Sequence, residues 1–109
     1  KKSFDGDIKI EIVEQSRNTD KYAILDRSKL DRELVIRKPI LGDFFYPFGM
    51  KGKKKLSKYF KDEKYSLVDK EKQWLLCSGE KIVWVIGKRV DRRFAASEKK
   101  ENPLILKLS

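Results

Sequence analysis

Two apolar runs, Trp74–Cys77 and Ile82–Ile86, are separated only by Ser78-Gly79-Glu80-Lys81. A connection that short closes an antiparallel hairpin, and glycine supplies the positive φ that such a turn needs. Trp74 and Trp84 flank the turn at strand spacing and read as packing residues. A chain committed to this hairpin must find further strands to cover it.

Those strands are legible. Ile8–Val13 alternates as IKIEIV, which puts Ile8, Ile10 and Ile12 on one face of a half-buried strand. Tyr22–Leu25 is a short apolar run, after which Asp26 and Ser28 invite a turn. Leu34–Ile36 is a further strand, closed by Pro39. After Pro103, Leu104, Leu106 and Leu108 alternate with Ile105 and Lys107 in a last strand. Helix is scarce. Over Lys53–Asp62, Leu56, Tyr59 and Phe60 share an apolar face at i, i+3 and i+4, and Lys54, Lys58 and Lys61 share the opposite one. Lys54 and Lys58 would then face solvent, where exchange for Glu leaves the fold intact. A second short helix over Leu67–Gln73 would have Ser66 as N-cap and Asp69 in capping-box spacing. The expectation is a β-rich α+β fold: a small mixed-sheet or sandwich-like domain with one basic helix at about 53–62 and a second short one at about 67–73.

With 109 residues, the chain is expected to form a single domain. It begins at Lys1 within a charged stretch, which reads as a fragment of a longer protein. No apolar run approaches the roughly 18 residues of a membrane span, and a lone Cys77 fits a reducing cytoplasm.

The net charge is +10, from 27 Lys+Arg against 17 Asp+Glu. Residues 1–50 hold 10 basic and 9 acidic residues, whereas residues 51–109 hold 17 and 8. Two clusters concentrate the excess. Lys51 to Lys64 carries seven lysines against two acids, and Lys88 to Arg93 carries four basic residues against Asp91. A one-sided field of this kind holds polyanions. Twenty lysines against seven arginines favour phosphate contact over base reading, since Lys is a point charge without the bidentate fork.

No catalytic set accompanies that charge. Histidine is absent, which removes His-based general bases, triads and zinc sites. Cys77, in an apolar strand, reads as a core residue, and no Gly-x-Ser-x-Gly elbow exists. The carboxylates form no marked pair; Asp43 and Asp91 read as structural partners of nearby Arg or Lys. No catalytic, metal-binding or cofactor-binding residue is expected.

The stretch from Arg37 to Phe60 carries the phosphate signal. Gly42, Gly49 and Gly52 permit close backbone approach to an anion, and the lysines follow directly. Gly49-Met50-Lys51-Gly52 is formally a GxxG clamp, but FFYPF precedes it where a KH domain has a helix. The P-loop spacing is not met. Phe44, Phe45, Tyr46 and Phe48 either stack on unpaired bases or anchor the loop to the core.

Arg37-Lys38, Gly42-Asp43 and the string Pro47-Phe48-Gly49-Met50-Lys51-Gly52-Lys53-Lys54-Lys55-Leu56-Ser57 with Phe60 resemble the C-terminal domain of bacterial tRNA(Ile)-lysidine synthetase. The resemblance continues through Trp74-Leu75-Leu76, Gly79, Ile82–Gly87, Arg89, Asp91, Arg93 and Phe94. Departures are Phe44, where the family often has Arg, and Ser66, where many members have Pro. The resemblance implies a fold related to a domain of the phenylalanyl-tRNA synthetase β-subunit. It also implies a parent ligase that uses ATP to adenylate the wobble cytidine of an isoleucine tRNA and then joins lysine to it. ATP and lysine would bind an N-terminal catalytic domain whose Ser-Gly-Gly-x-Asp-Ser loop is not in these residues. This domain would contact the tRNA acceptor stem.

Read together, residues and resemblance predict an RNA-binding face made of Arg37, Lys38, Lys51, Lys53, Lys54, Lys55 and Lys58, with Arg89, Arg92 and Arg93. The expected partners are tRNA and the catalytic domain of the same chain, without a membrane and in the cytoplasm. The oligomeric state is left open, a homodimer included. The alternatives are a protein-docking module within the enzyme and a general nucleic-acid-binding domain.

Overall fold

The hairpin forms one residue later on its first strand than the apolar runs predict, and it becomes the centre of the molecule. In the computed structural model, which describes residues 8–31 and 33–109, the strands are β1 (Ile10–Val13), β2 (Tyr22–Leu25), β3 (Leu34–Arg37), β4 (Phe44–Phe45), β5 (Lys54–Lys55), β6 (Leu75–Ser78), β7 (Lys81–Val85), β8 (Arg89–Val90) and β9 (Leu104–Leu108). Two helices, α1 (Leu56–Asp62) and α2 (Leu67–Lys72), lie between β5 and β6. The strands build three sheets, in the orders β1-β9-β2, β3-β6-β7-β8 and β4-β5. The fold is the expected β-rich α+β type. Every described strand pair is antiparallel, so the sheets are not mixed in direction.

β6 and β7 are buried on both faces, which is why they read as continuous apolar runs. Leu76, Val83 and Trp84 face the three-stranded sheet and pack with Ile10, Ala23, Leu25, Phe94, Leu104 and Leu106. Leu75, Cys77, Ile82 and Val85 face the other way, against Phe45 and the α1 residues Leu56, Tyr59 and Phe60. The register slips between Leu76 and Cys77, whose partners are Trp84 and Ile82. Val83 is the extra residue, and the bulge lets consecutive Val83 and Trp84 serve the same face. The turn joins Ser78 to Lys81 with Gly79 at φ +60°. A Cβ on Gly79 would lie 2.9 Å from an Asp31 carboxylate oxygen, so side-chain space also requires glycine there.

Local signals fix several boundaries. β2 has its expected limits, and Asp26 caps a 3-10 turn over Arg27–Lys29 by accepting from the Ser28 N–H. The Ser66 hydroxyl accepts from the Asp69 N–H, and the Asp69 carboxylate accepts from the Ser66 N–H, a complete capping box for α2. Two expectations change. Ile12, at the outer part of an edge strand, is 54% exposed and does not share the burial of Ile8 and Ile10. The basic helix starts at Leu56, not Lys53, because Lys54 and Lys55 are extended and pair with Phe45 and Phe44.

Candidate nucleic-acid interface

Asp91 joins the two basic clusters. Its side chain is wholly buried, yet it ends next to the surface loop that follows β4. One carboxylate oxygen accepts from the Tyr46 N–H (2.9 Å) and an Arg93 guanidinium nitrogen (2.8 Å). The other accepts from the Arg93 N–H (2.8 Å) and Nε (3.0 Å). Further bonds run alongside: Arg92 N–H to Tyr46 O and Phe48 N–H to Val90 O, with a bridge between Pro47 and Asp91. The Arg89 guanidinium donates to the Phe48 carbonyl at 2.9 Å. Residues 46–48 are thereby laid antiparallel to residues 90–92. The lysine segment that follows is delivered beside the strand exit.

Downstream of Gly49, at φ +83°, the chain enters a shallow depression of 450 Å³ lined by Met50, Lys51, Lys53, Lys54, Lys55 and Lys58. Five lysines line one basin. Lys51 and Lys55 are exposed, with no side-chain hydrogen bond or ion pair to any described residue. Lys53 is exposed and stands over the Phe44 ring, 4.4 Å from its centroid. Lys58 is 62% exposed and lies 3.2 Å from Asp62. Arg92 is exposed beyond the Tyr46 ring.

Other predicted contact residues are committed inside the domain. Arg37 grips Asp43 with both terminal nitrogens at 2.9 Å, which raises its pKa above the ordinary guanidinium value and fixes the Pro39–Asp43 loop. Lys38 donates to the Glu71 carbonyl and stands over Trp74. The Lys54 side chain is 18% exposed and its ammonium lies 2.6 Å from Asp62, so it is not part of a solvent-facing helix stripe. Hydrogen bonds from Lys54 and Lys58 hold the Asp62 pKa below the usual carboxylate value. Arg89 and Arg93 position the loop through Phe48 and Asp91. The lysine basin thus contains Lys51, Lys53, Lys54, Lys55 and Lys58, with Arg92 across the loop. Arg37 and Lys38 serve the adjoining loop.

Lys88 belongs to the second cluster by sequence. Its ammonium lies 5.7 Å from the Tyr65 ring centroid, in a groove that also has Glu63, Asp69 and Lys72 on its walls. Met50 is a basin residue that charge-based reading passes over, since nothing local marks it. Among the described residues, no group of three or more Cys, Asp or Glu side chains is placed to hold a metal ion. No described helix is long and apolar enough to cross a membrane.

Comparison with known proteins matches residues 34–105 to the family model of the TilS substrate C-terminal domain. The chain belongs to that family. The matched span runs from β3 into β9 and contains the lysine basin and the Asp91 junction. A tRNA(Ile)-lysidine synthase of Parabacteroides distasonis is 54% identical over 86 residues, and one of Bacteroides thetaiotaomicron is 49% identical over 86; each alignment covers 79% of this chain. A tRNA(Ile)-lysidine synthase of Caldanaerobacter subterraneus is 35% identical over 81 residues, 74% of this chain and 17% of its own length. The chain spans about a fifth of the length of the first two relatives (20%). The fold agrees with a crystal structure of a TilS C-terminal domain at a TM-score of 0.76, with 19% identity, covering 94% of this chain and 82% of that one.

Proposed function

We propose that this domain binds tRNA as the appended substrate-recognition part of a tRNA(Ile)-lysidine synthase, and that it contacts the acceptor stem of isoleucine tRNA. In that reading a separate N-terminal domain of the same cytoplasmic enzyme binds ATP and lysine and carries out the ligation at the wobble cytidine. This domain contributes affinity and choice of tRNA, not catalysis. The observation that carries the reading is the lysine basin, held beside Arg92 by the Asp91 junction, in a domain of this family. Its cations follow a loop in a shallow depression. That shape suits the backbone of an A-form helix, which is read through phosphates and sugars more than through base edges.

Binding to isoleucine tRNA, a noncognate tRNA and duplex DNA across a salt series tests it. Neutralising several phosphates gives log K falling with log salt at a slope of roughly 0.7 to 0.9 per contact. A steep slope with preference for isoleucine tRNA supports the reading; equal affinity for duplex DNA refutes an acceptor-stem reader.

A second reading has its own observation. Ile40 and Leu41 are 64% and 102% exposed, at the tip of the loop that Arg37 and Asp43 fix. A rigid apolar tip suits docking on another part of the enzyme. Nearly salt-independent association between the separated parts favours that role.

A further inference from the structure

We propose that Phe48 is a stacking platform for an unpaired nucleobase, so that the basic face takes a duplex together with its single-stranded end. The proposal rests on the RNA-binding reading above and names the part of the RNA that the loop receives.

The four aromatics around the loop have different surroundings. Phe45 is fully buried in the core under α1. Phe44 lies beneath Lys53 and meets Tyr46 edge-on, with centroids 6.3 Å apart. Tyr46 is covered by the guanidinium groups of Arg92 and Arg93, at 5.3 and 4.3 Å. Phe48 is 54% exposed, and no described aromatic ring or cation covers it.

Its exposure is not that of a loose loop tip. The Phe48 N–H donates to Val90 O at 2.9 Å, its carbonyl accepts from Arg89 at 2.9 Å, and the next turn closes with Met50 N–H on Pro47 O at 3.1 Å. Pro47, immediately before it, is buried. The backbone is therefore fixed on both sides of the ring, and the ring cannot relieve its contact with water by collapsing onto the core. Met50, 39% exposed, continues the apolar surface into the lysine basin.

A fixed, open aromatic face flanked by cations has a specific use. In a continuous duplex the base faces are covered by their neighbours, so lysines alone serve it and an aromatic face adds little. An unpaired nucleotide offers a free π-face and a flanking phosphate at once, and every base stacks. Phe48 takes the base, and Lys51 and Lys53 take the adjoining phosphates.

The test titrates the chain with two RNA hairpins of the same acceptor-stem sequence, one blunt and one with a short single-stranded 3′ extension carrying 2-aminopurine. Phe48→Leu should weaken binding of the extended hairpin by roughly 5- to 100-fold. It should leave the blunt hairpin, the salt slope and the unfolding midpoint unchanged, and abolish the change in 2-aminopurine fluorescence on binding. Phe48→Trp should restore both affinity and fluorescence change. Equal affinity of Phe48→Leu and the unaltered chain for the extended hairpin overturns the proposal, as does an equal loss on both hairpins. If Phe48→Leu is silent while Lys51→Glu with Lys55→Glu abolishes binding, stacking fails and the RNA-binding reading stands. If the unaltered chain binds neither hairpin, both fail together.

Discussion

Asp91 and Arg93 are two residues apart, and both oxygens of the buried carboxylate are bound by the guanidinium, at 2.8 and 3.0 Å. The same oxygens hold the Tyr46 and Arg93 N–H groups, so one side chain fixes both the strand exit and the loop opposite. Asp91→Ala leaves these donors without their acceptor. It should cost roughly 3 kcal/mol in urea unfolding, the range found when one partner of a buried pair is removed. RNA affinity should fall as well, because the path of residues 46–48 loses its anchor. An unchanged unfolding midpoint would contradict this account of the junction.

Lysines of the basin should divide by partner, not by position in the run. Lys51→Glu with Lys55→Glu changes two exposed residues that have no ion pair to any described residue. Stability should hold, while the log–log salt slope for tRNA drops by about 1.4 to 1.8. Lys54→Glu instead puts a carboxylate where an ammonium lies 2.6 Å from Asp62, and should destabilise as well as weaken binding. Parallel melting curves and salt titrations separate the two classes; a slope left intact by the double exchange argues against phosphate contact there.

Among the described residues, three carboxylates titrate below the ordinary value of 3.8. Asp26 is held down first by the Ser28 hydroxyl, Asp62 by Lys54 and then Lys58, and Asp69 by the Ser66 N–H. A depressed folded-state pKa gives stability that is present above the unfolded value and lost as pH falls through the folded one. Unfolding midpoints should therefore stay level through neutral and weakly acidic pH and drop from about 3.8 downward. Asp69→Asn should make that drop shallower. A midpoint that falls already between neutrality and pH 5 would require another titrating group.

Cys77 is fully buried, and burial pushes its thiol above the usual 9.0. A raised folded-state pKa favours the neutral form. The stability it contributes is present below 9.0 and lost as pH rises through the folded value. Thiolate is the reactive species, so alkylation of the native domain at mildly alkaline pH should be slow and limited by opening, and rapid in urea. Equal rates in both conditions would place the thiol at the surface.

What was legible in the sequence was local. The hairpin, the limits of β2, the Asp26 turn and the Ser66–Asp69 capping box each depend on residues within a few positions of one another. Lys54 shows how local reading fails. The spacing of Lys54, Lys58 and Lys61 suits a helix face, but pairing with Phe45 pulls Lys54 into a two-residue strand, and its ammonium turns to Asp62. Strands as short as β4, β5 and β8 have no periodicity to read. Of the predicted interface, the exposed lysines were legible from charge alone. That Arg37 and Arg93 spend their guanidinium groups on Asp43 and Asp91 depends on loop paths that no spacing encodes. The aromatics were open between core and surface, and only packing separated Phe45 from Phe48.

β9 lies between β1 and β2, so a strand near residue 105 separates two that are formed from the first 25. β1 and β2 are not neighbours in the sheet; each pairs with β9, and Leu25 of β2 forms a further bridge to Ala95. During synthesis the three-stranded sheet must wait until Leu104–Leu108 has left the ribosome, with Ile10, Ala23 and Leu25 uncovered in the meantime. Such long-range closure is slow. A chain released just before Pro103 would keep the residues of the central hairpin and α1 but lack the strand that joins the layer covering Trp84.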